Sequence, residues 1–311
     1  MVSAETSFVR ARRALIVRVG VVVGVFAGLV VTLRGMDWPA VGEALRSAHG
    51  WPIALAAVIN FGIIIGKAAA WRLLLAPEHR LSLARLTRYT LISCAASIVL
   101  PLRAGELVRV WLLRERDGVP TARIAAVAIA EKLLDMLSMA LIVLPVPWLV
   151  RDLPASVEWW IAGVAAVAIG GLLALRLASR RIASRHWLGQ VIAAMELLGS
   201  ARRLSGALAV LIATWLVDLA MIGLVLHAVG LDLPFGAALV VLFAVNLAIA
   251  LPSTPAQLGA LELGALAGLH LLHAPAAPAL AFAVLYHALQ VIPVLGVALI
   301  TDGKLLARGT S

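Results

Sequence analysis

The sequence YTLISCAASIVLPLRAGELVRVWLLRER, residues 89–116, joins a short apolar run to a basic segment. Fourteen uncharged residues, 89–102, are followed directly by Arg103, and Glu106 and Arg109 come within the next six positions. A membrane-spanning helix needs about 20 apolar residues to cross a hydrocarbon layer of roughly 30 Å. The apolar run is therefore too short to span a membrane and too apolar for a surface loop. We interpret it as a re-entrant helix, which enters the membrane and returns to the same side.

The composition is that of a polytopic membrane protein. The chain has 311 residues, of which 63% are hydrophobic and 14% are charged, and its mean hydropathy is +1.03. Soluble globular domains are about 45–50% apolar and about 25% charged. Several apolar segments approach the length of a membrane span, and the strand alternation of an outer-membrane barrel is absent. We therefore predict an all-α membrane protein.

The formal net charge of +10 does not indicate a nucleic-acid partner. The basic residues cluster beside the apolar segments, where they contact anionic lipid and set the orientation of the protein in the membrane. The expected partners are therefore membrane lipids. The single cysteine, Cys94, excludes an internal disulfide.

Eight apolar segments fall into two length classes. Two of them, 89–102 and 236–251, have 14 and 16 residues, which is the range of re-entrant or buried helices. The other six are long enough to span the membrane and lie at about 14–33, 51–75, 124–146, 159–177, 204–228 and 277–300.

The distribution of Lys and Arg favours six spanning helices and two re-entrant helices. With that topology the outer face carries Arg34, Arg46 and Arg151, while Lys67 and Lys132 lie inside spans. The remaining 21 of the 26 Lys and Arg residues lie on the cytoplasmic side, as the positive-inside rule requires. We predict a multi-pass protein of the cytoplasmic membrane with both termini in the cytoplasm.

The two short segments end alike, which indicates an internal repeat. Both end on Leu-Pro, at positions 100 and 251, and this offset of 151 residues places the span 51–75 within two residues of the span 204–228. The first half begins inside and the second half begins outside, which is an inverted-topology repeat of the kind that secondary transporters use. We predict a single membrane domain, 1–311, built from repeats 1–150 and 151–311.

Charged residues inside the apolar segments need a physical reason, because each costs at least about 2.5–3.5 kcal/mol at the centre of a span. Glu131 and Asp135 share one helix face, since they are four residues apart. Together with Arg103 and Glu106 they predict a functional polar cavity.

Two other embedded charges have a structural interpretation. Lys67 and Asp218 are 151 residues apart, so the repeat would place them at equivalent depths, and we predict a structural ion pair between them.

Structural alternatives also exist for the charged residues between positions 103 and 123. Arg103 and Glu106 could form an ion pair whose only role is to stabilise the turn. A basic amphipathic helix on anionic lipid would account for Arg109, Arg114, Arg116 and Arg123.

The sequence lacks the usual signs of an enzyme. No Gly-rich phosphate loop follows a strand, and no nucleophile–base arrangement is visible, so we expect no catalytic residue and no cofactor. His270 and His273, with Glu262 nearby, are too few ligands to predict a metal site. ATP-driven transport would need a separate subunit.

Four stretches resemble a known family: LPLRAGELVRVWLL (100–113), AEKLLDML (130–137), LPSTPAQLGALE (251–262) and YHALQVIPVLG (286–296). They resemble the lysylphosphatidylglycerol synthase transmembrane region, also described as the flippase-like domain family. The family motif P-x-R-x-G-E-x-x-R corresponds to Pro101, Arg103, Gly105, Glu106 and Arg109. The motif E-R-x-x-D corresponds to Glu131 and Asp135, with Lys132 in place of the arginine. In the motif P-x-x-P-G-G-x-G-x-x-E, which corresponds to Pro252, Pro255, Gly259 and Glu262, the two central glycines are replaced by Ala256 and Gln257.

The resemblance implies a lipid-translocating region without the aminoacyl-transferring domain of the synthases. We therefore predict a lipid flippase that moves an anionic or polyprenyl-type lipid headgroup across the cytoplasmic membrane. Arg103, with Arg109 at the mouth of the groove, would bind the phosphate, because arginine suits bidentate phosphate recognition. Glu131 and Asp135 would bind a cationic or hydroxylated headgroup or orient Arg103. The full set of candidate substrate-binding residues is Arg103, Glu106, Arg109, Glu131, Asp135, Gln257 and Glu262.

Two other functions remain open at this stage. The protein could be a membrane enzyme that acts on a lipid-linked sugar, with Glu131 or Asp135 as the base. It could also be a scaffold for a separate glycosyltransferase or synthase in lipid-linked glycan synthesis.

Overall fold

A computed structural model describes residues 34, 36–75, 79–100, 105–150, 154–179, 200–250 and 254–308. Within these residues the chain is helical and contains no strand, which confirms the all-α class. Several predicted features lie outside the described residues: the span 14–33, Pro101, Arg103, and the Leu-Pro pair at 251–252.

The described chain forms a series of α-helices and one 3-10 turn. In chain order these are α1 (Trp38–Arg46), α2 (Gly50–Leu75), α3 (Leu83–Val99), α4 (Gly105–Asp117), α5 (Thr121–Val143), α6 (Val146–Leu149), α7 (Ala155–Ser179), α8 (Ala201–Ala228), α9 (Phe235–Ile249), the 3-10 turn (Pro255–Gln257), α10 (Ala260–Leu271) and α11 (Ala276–Arg308).

Within the described residues, four helices are long and apolar enough to cross a membrane. They are Gly50–Leu75, Ser156–Ala174, Ala201–Ala228 and Ala276–Thr301, and they correspond to four of the six predicted spans. The predicted span 124–146 corresponds to α5. This helix has 23 residues, but Glu131, Lys132 and Asp135 interrupt its apolar sequence. The protein therefore has membrane-spanning helices, and α5 differs from the other four by its embedded charges.

Helix α3 begins earlier than the apolar run that predicted it. Ser82 caps the helix, because its side chain accepts a hydrogen bond from the Arg85 N–H at 3.2 Å. The helix therefore includes a polar first turn before residue 89. Its end agrees with the sequence, since Leu100 has an extended backbone (φ −87°, ψ 138°), as expected for a residue that precedes a proline.

Helices α3 and α4 form a tight antiparallel hairpin. A Cβ atom at Gly105 would lie 2.2 Å from Ser93 O and 2.3 Å from Ser97 N, so only glycine allows this approach. Ser93 Oγ donates a hydrogen bond to Gly105 O at 2.9 Å. At the other end of the pair, Arg85 Nη1 lies 2.6 Å from Asp117 Oδ1.

Helices α2 and α8 pack antiparallel along much of their length. Gly66 allows the close approach, because a Cβ atom there would lie 2.1 Å from Thr214 Oγ1. Small residues at such contacts are typical of membrane helices, whose association depends on close backbone packing.

Helix α9 has only 15 residues and is buried by the protein around it. Gly264 of α10 packs directly on its backbone: a Cβ atom at this glycine would lie 2.7 Å from Val245 Cα and 2.8 Å from Ala244 O. Most of its side chains belong to the larger hydrophobic core, including Leu239, Val241 and Leu242. A helix too short to span is therefore stabilised by protein contacts on nearly every side.

We expect Gly264→Ala to lower the stability of the protein, because the added methyl group meets the α9 backbone. The expected loss is about 1–3 kcal/mol, as for other overpacked core sites. The measurement is thermal unfolding in detergent followed by circular dichroism. Gly163→Ala on α7 is the matched control, since nothing lies within 4 Å of a Cβ atom there. Equal midpoints for both variants and wild type would contradict the α9–α10 packing.

Candidate functional site

A cavity of about 310 Å³ lies at the meeting point of the helices. Its walls come from α2, α3, α4, α5, α8, α9 and α11 and from the 3-10 turn. Of the six predicted substrate-binding residues that the structure describes, five line this cavity: Glu106, Arg109, Glu131, Asp135 and Gln257. Residues far apart in sequence, from positions 106 to 257, are therefore brought to one site.

Arg109 is the most unusual of these residues. It is 7% exposed, and its guanidinium carbon lies 3.9 Å from the centroid of the Trp71 ring. Its Nε has no hydrogen-bond partner, and no carboxylate within the described ranges forms an ion pair with it. Trp71 is 1% exposed, so the cation–π contact holds the guanidinium in place from one side. Arg109 also lines the cavity.

The structure corrects the surface interpretation for two arginines. Arg114 and Arg116 are exposed, as expected of a helix on the membrane surface, but Arg109 and Arg123 are buried. Helix α4 packs one face on its neighbours, so its arginines divide between the two faces. Arg123, on α5, donates from Nη2 to Leu74 O at 3.0 Å and so satisfies a carbonyl group at the end of α2.

The two carboxylates of α5 each have a buried oxygen atom without a hydrogen-bond partner among the described residues. Glu131 is 1% exposed, and its Oε2 has no hydrogen-bond partner among the residues that the structure describes. The same holds for Asp135 Oδ1. Buried polar atoms are normally hydrogen-bonded, and a bound water or polar ligand would satisfy these two oxygens.

The ion pair of Lys67 differs from the predicted one. Lys67 Nζ lies 3.4 Å from Asp135 Oδ2, so its partner is Asp135 and not Asp218. Asp218 instead accepts a hydrogen bond from Tyr286 OH at 2.8 Å. The spacing of 151 residues indicated similar depths for Lys67 and Asp218 but carried no information about α5 and α11, which supply the observed partners.

Glu106 and Lys132 lie where the cavity opens. Their charged atoms are 2.9 Å apart, and both side chains are 43% exposed. Lys132 stands at the position where the motif E-R-x-x-D has arginine, and its ion-pair partner here is Glu106. This pair is solvated, and an exposed ion pair of this kind contributes little to the stability of the protein.

The 3-10 turn has an unusual backbone. Ala256 (φ 55°) and Gln257 (φ 63°) are both in the left-handed region, which costs a residue other than glycine about 1–2 kcal/mol. These are the two positions at which the family motif has glycines. In this chain the two non-glycine residues adopt the left-handed backbone that glycine tolerates best, at a cost in strain.

His287 and Glu262 hold this turn. His287 Nε2 lies 2.9 Å from Ala256 O, and its Nδ1 contacts Glu262 Oε1. Glu262 Oε2 accepts a hydrogen bond from the Gly259 N–H at 2.7 Å. Burial alone would raise the pKa of the Glu262 carboxyl, but the hydrogen bonds from His287 and from backbone N–H groups outweigh burial and lower it. Glu262 is thus the one described candidate that supports the cavity wall without lining it.

Sequence reasoning missed the role of His287. His287 is not among the predicted site residues, yet it lines the cavity and contacts two polar groups. The available signal was a polar side chain within an apolar span, a signal that also applies to Asn60 and Asn246, which line the same cavity. His270 and His273 are exposed, and the described residues contain no group of three His, Cys, Asp or Glu side chains that could bind a metal.

A comparison with protein families gives one match. The model of the family described as the lysylphosphatidylglycerol synthase TM region matches residues 15–298. No curated protein matches the chain.

A double-mutant cycle tests the partner of Lys67. Asp135→Asn should lower stability by a few kcal/mol, near the lower end of the roughly 3–5 kcal/mol seen when a buried pair loses one member, because Lys67 loses its counter-charge. In a Lys67→Met background the same change should cost clearly less. The measurement is thermal unfolding in detergent, with Asp218→Asn as the control. Coupling of Lys67 to Asp218 and not to Asp135 would contradict the observed pair.

Proposed function

Because the family match covers most of its length, the chain belongs to the family of the lysylphosphatidylglycerol synthase TM region, and from this premise we propose that it translocates a lipid with a phosphate-bearing headgroup. The headgroup would pass through the polar cavity while the acyl or polyprenyl tails stay in the bilayer. Moving a phosphate through bare hydrocarbon is prohibitive, since an isolated ion there costs tens of kcal/mol by Born estimates. A polar path between the helices removes most of that cost.

The observation that carries this proposal is the buried Arg109. A buried cation is stable only with a compensating charge or hydrogen bonds, and the described part of the chain supplies Arg109 with an aromatic ring but no carboxylate. A phosphate oxygen in the cavity would provide the missing charge with bidentate hydrogen bonds. Arg103, six positions earlier in the same motif, would add a second cation to the phosphate site.

The carboxylates would bind the rest of the headgroup. Glu131 Oε2 and Asp135 Oδ1 are acceptors without a partner within the described ranges, so they suit a cationic amine or sugar hydroxyl groups. Glu106, in its ion pair with Lys132, would lie at the entrance of the cavity. Gln257 would contribute a further buried acceptor from the 3-10 turn. The cavity volume of about 310 Å³ fits a headgroup and not a whole lipid.

The proposed architecture is six spans and two re-entrant helices in an inverted repeat, with halves 1–150 and 151–311. The lengths of α3 and α9, 17 and 15 residues, support the re-entrant assignment. The antiparallel packing of α2 and α8, which occupy equivalent positions in the two halves, supports the repeat. Rocking of one half against the other would expose the cavity to each leaflet of the cytoplasmic membrane in turn. Both termini would lie in the cytoplasm.

The unpartnered oxygen of Glu131 also supports a second candidate, a membrane enzyme of lipid-linked glycan synthesis. A buried carboxylate beside a bound headgroup is placed as a general base would be. Product formation by the purified protein with donor and acceptor lipids would favour this activity. A scaffold for a separate glycosyltransferase or synthase would instead show partner binding with no lipid movement.

The test of translocation is the leaflet accessibility of labelled lipids in proteoliposomes. The panel contains phosphatidylglycerol, aminoacylated phosphatidylglycerol and polyprenyl phosphates. Wild-type protein should accelerate the exchange of one class between leaflets. No exchange of any lipid by well-folded protein would overturn the proposal and favour the enzyme or the scaffold.

Arg109→Ala should lower the exchange rate at least tenfold, because a charge-assisted hydrogen bond to phosphate is worth about 1.5–3 kcal/mol and 1.4 kcal/mol is a factor of ten. Arg114→Ala is the matched control, since Arg114 lies on the same helix but is exposed. Arg109→Lys should recover only part of the activity, because lysine lacks the planar fork. Equal exchange by wild type and Arg109→Ala would exclude Arg109 from the headgroup site.

A further inference from the structure

We propose that His287 and Glu262 form a proton-binding site that latches the turn 254–259, and that loss of the proton frees this turn to move during lipid translocation. The latch is defined by three groups: the His287 ring, the Glu262 carboxylate and the carbonyl of Ala256. Its existence is independent of the transported lipid, whereas its link to lipid movement rests on the function proposed above.

Both ring nitrogens of His287 face hydrogen-bond acceptors. Nε2 lies 2.9 Å from Ala256 O, and a carbonyl oxygen only accepts, so Nε2 must carry a hydrogen. Nδ1 contacts Glu262 Oε1. The neutral ring has one N–H, so it satisfies both contacts only if the Glu262 carboxyl carries a proton instead. In either arrangement the latched pair holds one proton more than a neutral histidine beside an ionised glutamate.

Separation of the pair releases that proton. A free histidine has an ordinary pKa of about 6.5 and a free glutamate about 4.3, so near neutral pH the separated groups are mostly a neutral ring and a carboxylate. The latched state therefore binds one more proton than the open state. By linkage, low pH favours the latched turn, and rising pH favours its release.

The charged groups that face the cavity from the neighbouring helices have their own partners. From the helices packed against α11, the cavity receives Lys67 of α2, Cys94 of α3 and Asp218 of α8, and it receives none from α1. Lys67 pairs with Asp135 and Asp218 with Tyr286. On α10 the facing group is Glu262 itself, and the turn 254–259 contains no titratable side chain. The proton therefore belongs to the His287–Glu262 pair.

The turn is suited to movement because it is strained and forms a wall of the cavity. Two consecutive residues, Ala256 and Gln257, are held at positive φ without being glycines, a conformation that persists only when its surroundings enforce it. Ala256 and Gln257 line the cavity, and the Gln257 Oε1 is buried without a partner among the described residues. The turn also packs against α3. Release of the latch would therefore change the lining of the headgroup site and the contact between the two proposed re-entrant segments.

The first experiment measures the turn itself, without lipid transport. Amide hydrogen exchange of the peptide covering 254–263 is followed in detergent from about pH 5.5 to about pH 8.5, a range around the ordinary pKa of histidine. After correction for the intrinsic pH dependence of exchange, protection should fall as the pH rises. The fall should not exceed tenfold per pH unit, because one proton is released. Protection that does not change with pH would overturn the latch.

Three variants identify the groups. His287→Gln keeps a donor for Ala256 O but does not titrate, so the pH-dependent step should disappear. Glu262→Gln removes the counter-charge of the imidazolium, so the step should move to lower pH. His270→Gln is the matched control, because His270 lies exposed on α10 and its loss should leave the step unchanged. A step that survives in His287→Gln, or disappears in His270→Gln, would overturn the assignment.

The second experiment follows lipid exchange in proteoliposomes over the same pH range. Wild-type exchange should rise over the pH interval in which the turn loses protection, and exchange by His287→Gln should lose that pH dependence. If the protection of the turn depends on pH but lipid exchange by wild type does not, the link to translocation is overturned. Absence of exchange at every pH would overturn the proposed function and this link, while the hydrogen-exchange step would still support the latch.

Discussion

An ionised side chain is stable within a hydrocarbon layer only when another polar group or water compensates its charge, and the arrangement of this protein follows from that constraint. Lys67 and Asp135 compensate each other inside the helix bundle. Arg123 binds a carbonyl group at the end of α2. Arg109 and Glu131 are the exceptions, because they are buried and face the cavity without an ion pair among the described residues. Their residual charges are of opposite sign, which is what a headgroup with a phosphate and a polar or cationic moiety would complement.

Close packing by small residues makes this cavity possible. Gly105 brings α4 against α3, Gly66 brings α2 against α8, and Gly264 brings α10 against α9. Lipid tails are as apolar as leucine, so membrane helices gain stability from such tight contacts and not from burial alone. Each contact also fixes the position of polar side chains: Gly105 begins the helix that carries Glu106 and Arg109. The scaffold is therefore tight at the interfaces and open at the centre.

The turn 254–259 shows how this chain departs from its family pattern. The family motif has two glycines where this sequence has Ala256 and Gln257, yet both residues keep positive φ. The contacts of His287 with Ala256 O and Glu262 compensate for the strain. The turn is therefore held by a side chain of α11, His287, which reaches it across the cavity wall. Gln257, at the second of these positions, adds a polar side chain to the cavity.

The composition and segment lengths of the sequence are enough to predict the membrane class and the all-α fold, and the sequence also singles out the charged residues that line the cavity. These features are local, because composition and segment length are set by the need to cover a hydrocarbon layer, and a charge inside an apolar run is visible without any neighbour. Three features of the site follow from the packing of the helices instead: the pairing of Lys67 with Asp135, the burial of Arg109 and Arg123, and the contact of His287 with the turn. Which side chains meet depends on helices that are distant in sequence, such as α2 with α5 and α10 with α11. The start of α3 at Leu83 likewise depends on the Ser82 cap and not on where the apolar run begins.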